Sequence, residues 1–161
     1  MESFEPKIVA FCCNYCAYAA ADLSGSMRLQ YPPNIRIIKT PCTGRLEVQF
    51  FMKAFEKGAD GVLVAGCLEG GCHFIDGNLF AKKRVNTTRD MLAELGLEKE
   101  RLRMVNISAS MARPFTDIVN EMVETIKKLG PSPLSLQNAD CGLQNDNPKS
   151  TIKNPKSETS I

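Results

Sequence analysis

The chain has 161 residues, 43% of them hydrophobic and 24% charged, with a formal net charge of +2. That suits one soluble domain with its own core. It excludes a strongly basic nucleic-acid binder, and no run reaches the roughly 18 apolar residues of a membrane span. Seven cysteines against a single histidine are the unusual part of the composition.

Met1 to Lys7 carries no signal-peptide pattern, because the apolar run that follows is too short for an h-region. A cytoplasmic location is the expectation. Ile8-Val9-Ala10-Phe11 reads as a buried strand (8–11). Residues 17–29 are alanine-rich and predict a small-faced helix, broken by Tyr31-Pro32-Pro33. A second strand is predicted over 35–39, with Pro41-Cys42-Thr43-Gly44 as its turn. Leu46, Phe50, Phe51, Ala54 and Phe55 repeat at a helical period, predicting a helix over 45–57 stopped by Gly58. The third strand is expected at 61–65, followed by the loop GCLEGGCH at 66–73. A helix over 78–95, a strand over 102–107 and a helix over 114–129 complete the pattern. From Pro131 the composition turns to Pro, Asn, Ser and Lys without periodicity. We therefore expect a domain at 1–130 and an extended or disordered tail at 131–161.

Four strands alternating with four helices predict a mainly parallel four-stranded sheet in a small flavodoxin-like, three-layer α/β fold. In such a sheet Cys12, Cys13, Cys42, Cys67 and Cys72 all fall at the carboxyl ends of strands, with Cys16 just beyond. That edge is where ligands bind. Helix N-termini at the same edge favour thiolates. Six thiols distant in sequence are thus expected to converge.

Four chemistries compete for them. Disulfides suit an exported protein better than this one. A thioredoxin-like Cys13-x-x-Cys16 dithiol leaves Cys42, Cys67 and Cys72 without a role. Structural zinc and an iron–sulfur cluster each need four thiolates, and spacing barely separates them. His73 adjoins Cys72 and is read as a polar residue at a loop edge. Lys82, Lys83, Arg84 and Arg89 form a basic run, a solvated face or a dock for an acidic partner. No phosphate-binding loop, dinucleotide fingerprint or Ser–His–acid set is present.

Several blocks together carry a resemblance: FCCNYCAY at 11–18, MRLQYPPNIRII at 27–38, CTGR at 42–45, GADGVLV at 58–64, GCLEGGCHF at 66–74 and ISAS at 107–110. From about Lys7 to Leu129 the chain resembles the delta subunit of methyl-viologen-reducing hydrogenase. That resemblance implies a [2Fe–2S] cluster and maps the family's cysteines onto Cys13, Cys16, Cys42, Cys67 and Cys72. Four suffice: Cys42, Cys67 and Cys72, with the fourth from Cys13 or Cys16. It implies electron transfer without substrate chemistry of its own. The implied partners are a donor such as a hydrogenase or formate dehydrogenase, and a flavin-containing, electron-bifurcating heterodisulfide-reductase-A-like subunit. Methylene-tetrahydrofolate reductase and benzoyl-CoA reductase systems use similar subunits. The opposing readings are a zinc-stabilised structural adaptor and a free-standing thiol oxidoreductase. The chain departs from the family at Leu68-Glu69, where a His–Pro pair or similar often stands, and in its tail with Cys141.

Overall fold

The computed structural model describes residues 4–134. The expected tail beyond Leu134, including Cys141, lies outside the described residues. Four strands form the sheet: β1 (Ile8–Cys13), β2 (Ile35–Thr40), β3 (Gly61–Gly66) and β4 (Leu102–Asn106). Their order is β2-β1-β3-β4, and every pairing is parallel. Ile8 lies opposite both Ile35 and Gly61, which fixes β1 at the centre. The helices are α1 (Ala17–Ser26), α2 (Val48–Glu56), α3 (Gly77–Glu94) and α4 (Ala112–Leu129).

One sheet face carries α1 and α4, the other α2 and α3. The sequence dictates which helix lies where. The inner side of α1 is Ala17, Ala20, Ala21 and Ser24, all buried. Such small side chains let α4 approach closely, and Ser24 Oγ donates across to the Ala112 carbonyl at 2.9 Å. Against them α4 presents Phe115, Val119, Met122, Val123 and Ile126, buried at i, i+4 and i+3 intervals. Full burial of side chains this size contributes about 1.5–3 kcal/mol each. On the other face α2 buries Phe51 and Phe55, with Phe51 edge-on to Phe11 of β1. The architecture is therefore the small, open, three-layer α/β fold expected.

Element boundaries differ where side chains claim the backbone. The predicted helix over 45–57 begins only at Val48, after a 3-10 turn at Thr43–Arg45. The backbone is extended at Leu46 and Glu47, and Arg84 of α3 holds this turn by donating to the carbonyls of Gly44 and Leu46, at 2.6 and 3.3 Å. Helix α1 ends at Ser26 because Arg28 adopts a left-handed φ of 56°. Helix α4 starts at Ala112, two residues before Pro114, which is tolerated there because first-turn N–H groups have no helical acceptor.

At the amino edge of the sheet, the Asp60 carboxylate accepts the N–H of Lys7 at 2.9 Å and of Ser132 at 2.8 Å. Arg101, only 1% exposed, donates to the carbonyls of Asp60 and Gly130 and pairs with Glu98 at 2.6 Å. The strand order reverses between β1 and β3. The loops after these two strands diverge there, and the cysteines lie at that opening.

Candidate metal centre

Cys13 closes β1, and the turn after it brings Cys16 to the start of α1. Cys67 follows the last residue of β3. The sulfurs of these three residues lie within 4.8 Å of one another, and all three are buried. Cys13 Sγ and Cys67 Sγ are 3.7 Å apart. Two thiolates on one tetrahedral metal, with bonds of about 2.3 Å, stand about 3.8 Å apart.

Cys42 and Cys72 form a second group. Cys42 is buried, and its sulfur accepts the Gly44 N–H at 3.3 Å. Cys72, half-buried, neighbours it, and the Cys42 thiol favours the Cys72 thiolate. Both lie against Gly77, the first residue of α3. A Cβ at Gly77 would overlap the Cys42 sulfur and stand 3.3 Å from Cys72 Sγ. A Cβ at Gly44 would stand 2.7 Å from Gly77 Cα. The two glycines thus let the Cys42 turn press directly onto the end of α3. Arg84 clamps the same turn from one side and pairs with Glu47 at 3.1 Å. The basic run is therefore divided: Arg84 serves the interior, Lys82 pairs with Glu69, and Arg89 donates to the Lys99 carbonyl.

Cys12 does not join these five. Adjacent strand residues point to opposite faces, and Cys12 is fully buried among core side chains. Burial, and then the charge of Cys13, push its thiol up to about 12. The expectation of six converging thiols is corrected to five.

The electrostatics favour negative sulfur. Neither α1 nor α3 has a side-chain cap or an acidic residue in its first turn, so their terminal N–H groups are left to other acceptors. Hydrogen bonding from Cys16 is the main influence that holds Cys13 down, to about 5. Burial opposes it, and the Tyr15 and Cys16 N–H groups and the Cys67 thiol assist. The same contact, with burial, pushes the Cys16 thiol up. Burial raises Cys42 and Cys67. Burial also opposes ionisation of Cys72, yet the N–H groups of Phe74, Asn78 and Gly77 hold it below its ordinary value.

Two asparagines brace the Cys67 loop. Asn78 Nδ2 donates to the Cys67 and Leu68 carbonyls, each at 3.0 Å, and Asn106 Nδ2 to the Cys67 carbonyl at 2.6 Å. The buried Asn78 Oδ1 finds no partner among the described residues. His73 is exposed and stacks on Tyr15, with ring centroids 3.8 Å apart, and Phe74 packs edge-on to both. Ile75 is 81% exposed at φ 65°, a strained position for a β-branched residue. Sequence reading did not identify Gly77, Asn78, Asn106 or Tyr15. The only signal for the first two was their place at the start of a predicted helix beside a cysteine loop.

Residues 8–130 match the family model described as methyl-viologen-reducing hydrogenase, delta subunit. The chain is 50% identical over 133 residues to the F(420)-non-reducing hydrogenase vhc iron-sulfur subunit of Methanococcus voltae. That match covers 83% of this chain and 92% of the relative. It is 45% identical over 130 residues to the F(420)-non-reducing hydrogenase iron-sulfur subunit of Archaeoglobus profundus, covering 81% and 95%. It is also 48% identical over 126 residues to a ferredoxin/F(420)H(2)-dependent CoB-CoM heterodisulfide reductase polypeptide of Methanosarcina acetivorans. There it covers 78% of this chain but 16% of the much longer relative. The chain belongs to the methyl-viologen-reducing hydrogenase delta-subunit family.

Proposed function

We propose that this delta-subunit family member is an electron-transfer subunit carrying one [2Fe–2S] cluster. It passes electrons between a hydrogenase- or formate-dehydrogenase-type donor and a flavin-containing heterodisulfide-reductase-A-like subunit. The observation that carries the reading is the gathering of five thiols from separate loops into two adjacent groups. They lie beside helix N-termini, where the Phe74, Gly77 and Asn78 N–H groups favour the Cys72 thiolate, with a glycine cradle under one group. The iron–sulfur subunits among the relatives, and the heterodisulfide reductase chains that contain a similar stretch, support the choice of cofactor and partner.

Four of the five thiolates suffice for the cluster. Cys13 and Cys67, at 3.7 Å, are one pair suited to a single iron; Cys42 and Cys72, sharing the Gly77 cradle, are the other. Cys16 is then the fifth thiol, a neutral neighbour of Cys13 and Cys67. When bound, the cluster supplies one-electron transfer. The protein's own contribution is to hold four sulfurs rigidly, to offset their charge with backbone N–H groups, and to bury three of them from water. The redox unit is residues 1–130, with 131–161 as a C-terminal extension. No described helix is long and apolar enough to cross a membrane, and we place the protein in the cytoplasm.

Metal and sulfide analysis of anaerobically purified protein, with EPR after reduction, tests this. Equal amounts of iron and acid-labile sulfide and a reduced-state EPR signal are expected. Stoichiometric zinc without iron would establish the structural-adaptor alternative instead. Reduction of the centre by the donor, followed by its reoxidation by the flavoprotein, tests the direction of transfer.

A further inference from the structure

A prominent concave feature lies away from the cysteine pairs. It is a groove of about 680 Å³ between β2 and α2, on the sheet face that α2 covers only in part. Its floor is apolar, formed by Val9, Phe11, Ile38 and Phe50. Ile38 and Phe50 remain 44% and 46% exposed, a high value for large apolar side chains facing one cavity. Its walls carry Lys7, Arg36, Arg45, Lys53 and Lys57, and no carboxylate lines it. Lys53 pairs with Glu56; among the described residues the other four make no ion pair. The protein's net charge is only +2, so this concentration of cations is local.

An apolar floor between cationic walls defines the complementary shape. The occupant has an apolar stripe flanked by carboxylates. A sheet face bordered by one helix is closed most economically by a second helix lying beside it. The dimensions agree. Six residues of β2 span about 20 Å. A helix about 10 Å wide with its apolar half immersed fills the groove volume with roughly 11 residues, or about 17 Å of length.

The groove is also connected to the cysteine edge. Thr40, Pro41, Arg45 and Leu46 line its end. The Pro41 carbonyl lies 3.9 Å from Cys13 Sγ, and Arg45 belongs to the turn that begins at Cys42. A helix seated here abuts the metal-binding loops without covering the half-exposed Cys72. We infer that this groove anchors an acidic amphipathic helix of the redox partner, tethering that protein beside the cluster and leaving the Cys72 face open for electron exchange. The identity of the partner rests on the proposed function; the acidic, amphipathic character of the helix rests on the groove alone.

The test uses the full chain and a heterodisulfide-reductase-A-like flavoprotein from the same organism. Arg36→Glu combined with Lys57→Glu should weaken their complex about tenfold or more and flatten its salt dependence. Phe50→Ser should weaken it without changing that salt dependence. Lys127→Glu with Lys128→Glu, on α4 at the opposite face, should leave binding unchanged. Zero-length carbodiimide cross-linking should join Lys7, Lys53 or Lys57 to a glutamate- or aspartate-bearing helix of the flavoprotein. Iron content and the reduced EPR signal are measured on every variant, so loss of docking is distinct from loss of the centre. Unchanged affinity in the charge-reversed variant overturns the inference. So does an equal loss in the α4 control, or cross-linking of the groove lysines to this chain's own residues beyond 134. A chain that binds through the groove but contains no iron would instead sink the redox reading.

Discussion

Replacing Gly77 by alanine adds one methyl group at the point where two sulfurs meet. The new carbon falls well inside the 3.0 Å limit that real Cβ atoms keep from their neighbours, because it overlaps Cys42 Sγ. Ordinary contact needs about 3.5–4.0 Å, so the Cys42 sulfur must retreat on the order of 1 Å. It has little room to do so. Its turn is held by the Gly44 N–H, pinned by Arg84, and pressed against Gly77 through Gly44. Metal–ligand distances tolerate only about 0.2 Å. The metal-free fold should fare better. At the first position of a helix alanine gains less than the roughly 1 kcal/mol of a helix interior, while overpacking costs about 1–3 kcal/mol. The expected outcome is apoprotein whose stability changes by no more than about 3 kcal/mol and which fails to hold its cluster. Urea denaturation of the apoprotein followed by circular dichroism, with iron and sulfide analysis of reconstituted protein, reads both effects. Full iron retention with an unchanged reduced EPR spectrum would refute the assignment of Cys42 and Cys72 as a ligand pair on this cradle.

Alanine at Cys13, Cys42, Cys67 or Cys72 should abolish cluster binding, whereas Cys16→Ala should retain iron with an altered EPR signal; loss of iron in Cys16→Ala would reassign the fifth thiol. Cys12→Ala should lower stability by about 1 kcal/mol through a small core cavity, with iron content unaffected. Arg101→Met should cost about 3 kcal/mol, seen as a melting temperature lower by roughly 10 °C, because the carbonyls of Asp60, Gly130 and Pro131 lose a charged donor. Glu98 is held below the usual carboxylate range, first by its hydrogen bond from Arg101. Its contribution is thus present above the unfolded value of about 4.3 and is lost as pH falls through the lower folded value. Acid titration of stability should show that loss in the wild type and not in Arg101→Met.

The sheet and its parallel order were legible because short β-rich runs alternated with helical periods, and the glycines after α2, α3 and α4 marked their ends. The placement of thiols at one edge followed from that topology. The division of those thiols did not, because which sulfurs touch depends on how the Cys42 turn packs onto α3. Gly44 and Gly77 lie 33 positions apart, and nothing local to either marks their contact. The exclusion of Cys12 could have been read, since it and Cys13 are adjacent on one strand and cannot share a pleat. Arg101 stands in the charged run EKERLR, where nothing local sets it apart. Its burial is set by carbonyls at Asp60 and after α4, which no local pattern reveals. The groove was similarly hidden: Lys7, Arg36, Arg45, Lys53 and Lys57 are scattered along the chain, and only the packing of α2 beside β2 lines them up.

The Asp60 carboxylate grips the backbone on the way into β1 and again on the way out of α4, so the two gateways of the domain are side by side. They sit at the amino edge of the sheet, across the whole thickness of the fold from the cysteines. A unit with adjoining entry and exit can be spliced into a longer polypeptide without stretching it. Here the splice would leave the sulfur-bearing rim facing outward whichever side the extra sequence is attached to. That geometry matches the two ways in which similar sequence occurs: as a separate iron–sulfur protein, and as about one-sixth of a heterodisulfide reductase polypeptide.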